Sequence, residues 1–417
     1  MSTARTTLFA LVLGALPVVA QNWSHWQWTD WPQWLGPHRN GISSETGLFG
    51  KVPSFRESWR VHAGPGSSGL SVVGDRLYTM YIHSGEAYAV CLDARNGEVM
   101  WRTPTTGNDP SGQRDSRSPR ATPTVDGKMV YVFSAHGKFL ALDSQFGTQR
   151  WSRDIVLEFD SVRGGKSFGA SPLVDRNLVL IEAGGKNGHS LMAFDKTNGE
   201  VAWNTGSDER GYSSPIIATI GQTRQAVFFT GYGLIAVAPQ KGRVLWQYPY
   251  ITSQSTNAAT PVFIPPNRFF ISSSSGMGGS VVEVTATDKG YEVAEVWRNN
   301  NMQNHSATSI YYQGHLYGFD GSILKCLDAE TGEEKWQARG YGKGTLIVAD
   351  GHLVILGERC NLGIAEATPA GFVEKANVQV SRRSRCETVP SLADGRIYLR
   401  DDKEIVCMNI NLVGATQ

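Results

Sequence analysis

The chain has 417 residues, a formal net charge of +1 and a hydrophobic share of 41%. The near-neutral charge gives no electrostatic reason to expect nucleic acid or an acidic membrane surface as a partner. The hydrophobic share argues against a disordered chain, and 46 glycines without a collagen period indicate many tight turns rather than long helices.

The N-terminus has the pattern of a secretory signal. Arg5 precedes a short apolar run over residues 8–19, and Val18-Val19-Ala20 fits a small-residue cleavage site. The run is too short for an ordinary transmembrane helix, and no later segment is long and apolar enough to span a bilayer. We expect residues 1–20 to be a signal peptide, with an uncleaved anchor as the alternative. No cysteine follows the run to carry a lipid, so we expect a periplasmic or secreted protein without a transmembrane segment.

A tryptophan-rich segment follows the expected cleavage site. It holds five tryptophans in twelve residues, namely Trp23, Trp26, Trp28, Trp31 and Trp34. We interpret residues 21–52 as an arm that packs on the main domain, residues 53–412. The alternative is an aromatic strip that contacts carbohydrate.

Internal repetition is the strongest pattern in the main domain. Four segments share the spacing Asp-x3-Gly-x3-Trp and end at Trp101, Trp151, Trp203 and Trp336. Ala238, Gly242 and Trp246 keep the spacing without the acid, while Trp59 and Trp297 close degenerate copies. The intervals between these tryptophans average about 46 residues, the length of one four-stranded propeller blade.

Each copy begins with a Ser/Thr-Pro step, as at Thr122-Pro123, and runs through an alternating strand to the Asp-x3-Gly turn. The Asp can cap this turn and the Gly can supply a positive φ. The Trp is suited to filling the wedge between neighbouring blades. We therefore assign the motif to architecture rather than to chemistry.

Counting the copies predicts an all-β, eight-bladed β-propeller of four-stranded blades. The strand around Trp59 has no preceding strands, and the final strands, about residues 387–410, have no closing tryptophan. Together they would make one blade, a clasp between the two ends of the chain. Such a clasp closes the ring and removes free sheet edges.

The five cysteines fall into two groups. Cys91, Cys326 and Cys407 occupy a column where other copies have alanine, so we expect buried, inert thiols. Cys360 and Cys386 fall in loops expected to share one face of neighbouring blades. In an oxidising compartment they predict a disulfide, which would stabilise the fold by roughly 2–4 kcal/mol.

The copies resemble the pyrroloquinoline-quinone (PQQ) repeat, as in residues 92–101 (LDARNGEVMW) and 327–336 (LDAETGEEKW). Residues 30–41 (DWPQWLGPHRNG) resemble the start of exported bacterial PQQ-like repeat proteins. The resemblance implies a propeller over nearly all of the mature chain. For function it implies two classes. One is the quinoprotein dehydrogenases, which oxidise alcohols or sugars with PQQ and usually Ca²⁺. The other is the non-catalytic propellers, including the outer-membrane assembly lipoprotein that binds partner proteins.

The residues favour the non-catalytic class. The resemblance to an eight-bladed PQQ alcohol dehydrogenase would imply a pair of adjacent cysteines, and the sequence has no Cys-Cys and no C-x-x-C-H haem motif. It would also imply a Ca²⁺ site and an Asp base, but acidic loop residues such as Glu387, Asp401 and Asp402 form no ligand set of recognisable spacing. We predict no catalytic residue, no metal ligand and no cofactor, with PQQ and Ca²⁺ as the alternative.

Cations accumulate in the loops that enter the innermost strands and in those that join second and third strands. These loops should share one face, where we expect ligand contacts from Arg117, Arg120, Lys166, Arg210, Asn257, His305, Lys343 and Arg385. A cationic face favours anionic ligands. We predict an exported, monomeric scaffold that binds a protein or an anionic small molecule or polymer there, and not nucleic acid. The alternatives are a PQQ-dependent oxidoreductase and a carbohydrate-binding propeller.

Overall fold

Antiparallel sheets arranged in a ring make up the described part of the chain. The computed structural model describes residues 26–105, 118–161, 167–252, 255–274, 276–382 and 384–411. Within these ranges, 32 strands form eight four-stranded sheets, and the single helix is one turn, α1 (Ile155–Glu158). The predicted eight-bladed propeller is confirmed. The expected signal peptide lies outside these ranges, and no helix within them is long and apolar enough to cross a membrane.

Blades 1 to 7 each consist of four consecutive strands, and the first strand of each lies innermost in the ring. Blade 1 contains β2 (Ser71–Val73), β3 (Arg76–His83), β4 (Glu86–Asp93) and β5 (Val99–Pro104), and blade 2 contains β6 (Thr124–Asp126), β7 (Met129–Phe133), β8 (Lys138–Asp143) and β9 (Gln149–Asp154). Blade 3 contains β10 (Leu173–Asp175), β11 (Leu178–Glu182), β12 (Leu191–Asp195) and β13 (Val201–Thr205), and blade 4 contains β14 (Ile216–Ile220), β15 (Thr223–Phe229), β16 (Gly233–Val237) and β17 (Val244–Pro249). Blade 5 contains β18 (Val262–Ile264), β19 (Arg268–Ser273), β20 (Gly278–Thr287) and β21 (Gly290–Asn299). Blade 6 contains β22 (Ile310–Tyr312), β23 (His315–Asp320), β24 (Ile323–Asp328) and β25 (Glu334–Ala338), and blade 7 contains β26 (Thr345–Ala349), β27 (His352–Leu356), β28 (Asn361–Glu366) and β29 (Glu374–Gln379).

Blade 8 joins the two ends of the propeller. Its three inner strands are β30 (Ser391–Ala393), β31 (Arg396–Arg400) and β32 (Glu404–Asn411), and its outermost strand is β1 (Ser54–His62). Strands β1 and β32 are antiparallel, with Trp59 opposite Cys407. The predicted clasp is confirmed, since the two ends of the propeller pair within one sheet and so close the ring.

The Asp-x3-Gly turn owes its shape to the Asp side chain and the Gly backbone. In blade 2, Asp143 Oδ1 accepts hydrogen bonds from the backbone N–H groups of Gln145 and Phe146, at 2.9 and 3.0 Å. Gly147 adopts φ +70° and donates its N–H to the Asp143 carbonyl. The carboxylate thus satisfies turn amides, as Asx turns do.

The closing tryptophans fill the wedges between blades. Trp101 donates its indole N–H to the Ser144 carbonyl of the next blade at 3.2 Å. A Cβ atom on Gly147 would lie 2.6 Å from the Trp101 ring, so the turn can approach the ring only through a glycine. The same contact recurs in four more pairs: Gly97 with Trp59, Gly199 with Trp151, Gly242 with Trp203, and Gly332 with Trp297.

Hydroxyl groups near the Ser/Thr-Pro steps link the innermost strands of neighbouring blades. Ser171 Oγ accepts from the Thr122 N–H, and Ser214 Oγ accepts from the Ser171 N–H, both at 2.9 Å. Innermost strands of different blades belong to separate sheets. These bonds therefore connect them around the axis.

The cysteines behave as expected. Cys91, Cys326 and Cys407 are free and buried, and burial raises the pKa of each thiol to about 12. Cys360 and Cys386 form the predicted disulfide, with a Cα–Cα distance of 5.1 Å. The bond joins blade 7 to the loop that enters blade 8.

The arm, described from residue 26, crosses the ring on the face formed by the turns between first and second strands, here called the turn face. Asp30 accepts from the Gly74 N–H at 2.9 Å, and Glu45 accepts from the Gly395 N–H at 2.8 Å. Trp34 reaches blade 5, where its indole N–H donates to Thr260 Oγ1 at 2.9 Å. Because the arm contacts blades 1, 5 and 8, it covers the axis on this side.

Candidate functional site

The loops that enter the innermost strands and those between second and third strands lie together on the face opposite the arm, here called the loop face. Antiparallel strand order dictates this arrangement, since alternate connections fall at opposite ends of a sheet. Six predicted site residues lie in loops that enter innermost strands: Arg120, Arg210, Asn257, His305, Lys343 and Arg385. Arg117 and Lys166 lie outside the described residues.

Four of these six side chains are exposed. Arg120 lies over the Tyr212 ring at 5.8 Å, and His305 and Lys343 are open to solvent. The Arg385 side chain is 74% exposed, and its ion pair with Glu358 spans 3.7 Å. An exposed pair of this length contributes little to stability, so Arg385 is available to a partner.

The other two predicted site residues are buried. The Arg210 guanidinium lies 4.2 Å from the centre of the Phe168 ring, and its Nη1 donates to Ser161 Oγ. Asn257 donates its amide N–H groups to the carbonyls of Thr230 and Tyr250, at 2.7 and 3.2 Å. Both side chains hold the loops in place and are buried beneath the loop face.

A cavity of about 190 Å³ lies on the loop face between blades 1 and 8, and one of its residues, Arg400, was not predicted from the sequence. Its wall includes Arg385, Glu387, Asp401 and Asp402 together with Arg400. Arg400 is fully buried and donates to the backbone carbonyls of Ser68, Met80 and Gly64 and to Thr79 Oγ1. Burial lowers its pKa to about 10. Arg400 is the last residue of β31, and the sequence around it does not distinguish it from an exposed arginine.

The described residues provide no cluster of acidic ligands for a Ca²⁺ ion beside PQQ. No group of three or more His, Cys, Asp or Glu side chains among them could hold a metal ion. Two asparagines come nearest to the expected ligand type. Asn304 is occupied, since it donates to the Phe319 carbonyl and its Oδ1 accepts from the Ser309 hydroxyl. Asn257 uses only its amide N–H groups, and its Oδ1 is buried without a hydrogen-bond partner. We therefore derive no catalytic step through this cofactor.

The arm, where it is described, does not present a row of open aromatic rings. Among its described tryptophans, Trp28 is 66% exposed, whereas Trp31 is buried against blade 1. The N–H groups of Trp26 and Trp34 donate to blades 2 and 5. The rings thus attach the arm to the propeller.

Comparison with known proteins places the chain among PQQ-like repeat propellers. The family described as outer membrane protein assembly factor BamB matches residues 53–164 and 117–338. BamB of Burkholderia pseudomallei is 24% identical over 364 residues, which cover 86% of this chain and 78% of that protein. Methanol dehydrogenase subunit 1 of Paracoccus denitrificans is 25% identical over 180 residues, and the match spans 38% of this chain but only 27% of that subunit.

Solved structures share the fold. BamB from Moraxella catarrhalis aligns with a TM-score of 0.60 at 13% identity, over 85% of this chain and 98% of that one. Quinohemoprotein alcohol dehydrogenase from Comamonas testosteroni aligns with a TM-score of 0.62 at 11% identity, over 93% of this chain and 81% of that one. At these identities the structures support the architecture only. The family match extends over more than half of the chain, which therefore belongs to the PQQ-like repeat propellers described as outer membrane protein assembly factor BamB.

Proposed function

We propose that the chain is a non-catalytic scaffold that binds a partner protein through its loop face. The observation that carries the proposal is the exposed, charged surface that several blades contribute to this one face. Arg120 enters blade 2, Lys343 enters blade 7 and Arg385 enters blade 8. Rigid strands hold these loops in place, which is the usual way for a scaffold to present binding residues.

Charges of both signs favour a protein over a polyanion. The exposed Glu387 and Asp402 lie beside Arg385 at the cavity between blades 1 and 8. A uniformly anionic polymer would meet repulsion there, whereas a protein surface can match both signs. The similarity to an assembly factor supports the same choice.

We further propose that the protein is exported and works as a monomer without a cofactor. The signal-like residues 1–20 support export. Fractionation of cells that produce the full chain tests its location. Light scattering of the purified protein tests the monomer.

Site-specific photo-crosslinking tests the scaffold proposal in living cells. A photoreactive residue replaces Arg120, Lys343 or Arg385 in turn, and controls carry it at Phe146 or Lys289, which are exposed on the turn face. We expect one recurrent protein adduct from the loop-face positions and none from the controls. Adducts of equal yield from both faces, or from the controls alone, would overturn the proposal.

A reconstitution experiment tests the enzymatic alternative. Purified protein is mixed with PQQ and Ca²⁺, and dye-linked oxidation of alcohols and sugars is followed. We expect no turnover. Stoichiometric PQQ binding accompanied by turnover would replace the scaffold with a quinoprotein oxidoreductase.

A further inference from the structure

A second cavity, of about 220 Å³, lies between the arm and blades 3, 4 and 5. Arg224, near the start of β15, places one end of the cavity toward the turn face. Its apolar wall comes from Leu173, Ile217 and Phe263 on the innermost strands of the three blades. Its polar wall comes from the arm, through Gln33 and Arg39, and from Arg224.

Arg39 is a buried cation with no anionic partner among the described residues. The whole residue is 3% exposed. Its Nη1 and Nη2 donate to three neutral oxygens, the carbonyls of Pro172 and Ser171 and Gln33 Oε1, at 2.7, 3.0 and 3.1 Å. Its Nε is buried without a hydrogen-bond partner. Burial lowers the pKa of Arg39 to about 9, so the side chain still carries its charge at pH 7.

The neighbouring charges do not neutralise Arg39. Arg224, the other arginine of the cavity, pairs with Asp175 at 2.6 Å, and the Asp175 side chain is fully buried. Gln240 donates to the second oxygen of that carboxylate at 3.0 Å. Asp175 is therefore already matched, and the cavity keeps one net positive charge in a partly apolar wall. An uncompensated buried charge is costly unless a counter-charge approaches it.

We propose that this cavity binds a small organic carboxylate, with the carboxylate at Arg39 and an apolar portion against Leu173, Ile217 and Phe263. The net positive charge of the wall selects an anionic ligand, and hydrogen bonds to charged groups are stronger than neutral ones. The size is adequate, because an apolar cavity of about 150 Å³ can hold benzene. The site is independent of the partner surface on the loop face.

Calorimetric titration of the full chain tests the proposal with three probes: benzoate, its neutral analogue benzamide, and inorganic phosphate. We expect one benzoate per chain, bound roughly tenfold or more tightly than either other probe. Equal affinity for benzamide would show that the negative charge of benzoate does not contribute to binding. Equal affinity for phosphate would show that the apolar wall contributes nothing. Either result, or no benzoate binding, overturns the proposal.

Variants locate the site. Arg39→Gln should abolish the preference for benzoate over benzamide, while Arg243→Gln, which removes an exposed cation elsewhere, should leave it unchanged. Because Arg39 also holds the arm to blade 3, Ile217→Trp provides a second test that keeps the arginine and fills the cavity. Loss of benzoate binding in Ile217→Trp supports the site. Retention of wild-type affinity in a folded Arg39→Gln or Ile217→Trp protein overturns it.

Discussion

Replacing Gly242 with alanine should weaken the interface between blades 3 and 4. Gly242 has φ +66°, and a Cβ atom there would lie 2.6 Å from two atoms of the Trp203 ring. Trp203 has little room to yield, because it is almost buried and donates its indole N–H to the Pro239 carbonyl at 2.8 Å. The substitution therefore combines backbone strain with a steric clash.

A matched control separates these two costs. Gly221 lies in the same blade with φ +59°, but a Cβ atom there would meet nothing within 4 Å. Gly221→Ala should cost only the left-handed strain, about 1–2 kcal/mol. Gly242→Ala should add an overpacking cost of about 1–3 kcal/mol. Both variants replace one glycine with alanine, so the loss of conformational entropy in the unfolded chain is the same in each and cancels in the comparison.

Urea denaturation followed by tryptophan fluorescence measures both variants against the parent chain. We expect a clearly lower midpoint for Gly242→Ala than for Gly221→Ala. Equal midpoints for the two variants would refute the reasoning, since they would show that the ring and turn can separate at no cost.

Other measurements address the disulfide, the buried tyrosines and the arm. Thiol titration in denaturant without reductant should find three thiols, and five after reduction; five at the outset would contradict the Cys360–Cys386 bond. Replacing both of these cysteines with alanine should lower the free energy of unfolding by roughly 3 kcal/mol, judged from urea midpoints, because the bond closes a loop with a separation of 26 residues. Burial raises the pKa of Tyr131 above its ordinary value of 10.0, so the folded state keeps a proton that the unfolded chain loses. Its contribution to stability should be fully present below pH 10 and fall as pH rises further, and an unfolding free energy that increases there would contradict this sign. Trp34→Phe should cost about 1 kcal/mol in a urea titration through loss of its indole hydrogen bond, whereas Trp28→Phe should be neutral; equal losses would argue against that bond.

The repeated features were predictable from sequence. Each copy carries its own turn, strand alternation and closing tryptophan, so the number of copies predicts the number of blades. The clasp followed from a strand without predecessors and strands without a closing tryptophan. The disulfide followed because Cys360 and Cys386 were the cysteines left outside the small-residue column. These inferences depend on local patterns and on their spacing.

Burial within the loops and the arm was not predictable in the same way. Arg120 and Arg210 occupy equivalent loops, yet one is exposed over Tyr212 and the other is packed on Phe168. Arg39 is a buried cation because its guanidinium donates to backbone carbonyls that precede the innermost strand of blade 3, more than 130 residues further along the chain.

The sequence alone determined the ring of eight blades, its closure and its cross-link, because the same local chemistry recurs at a regular interval. The tertiary structure decided which charged and aromatic side chains are open to a ligand. That choice depends on contacts between residues far apart in the chain, such as Arg39 with blade 3 and Trp34 with blade 5, which no local period encodes.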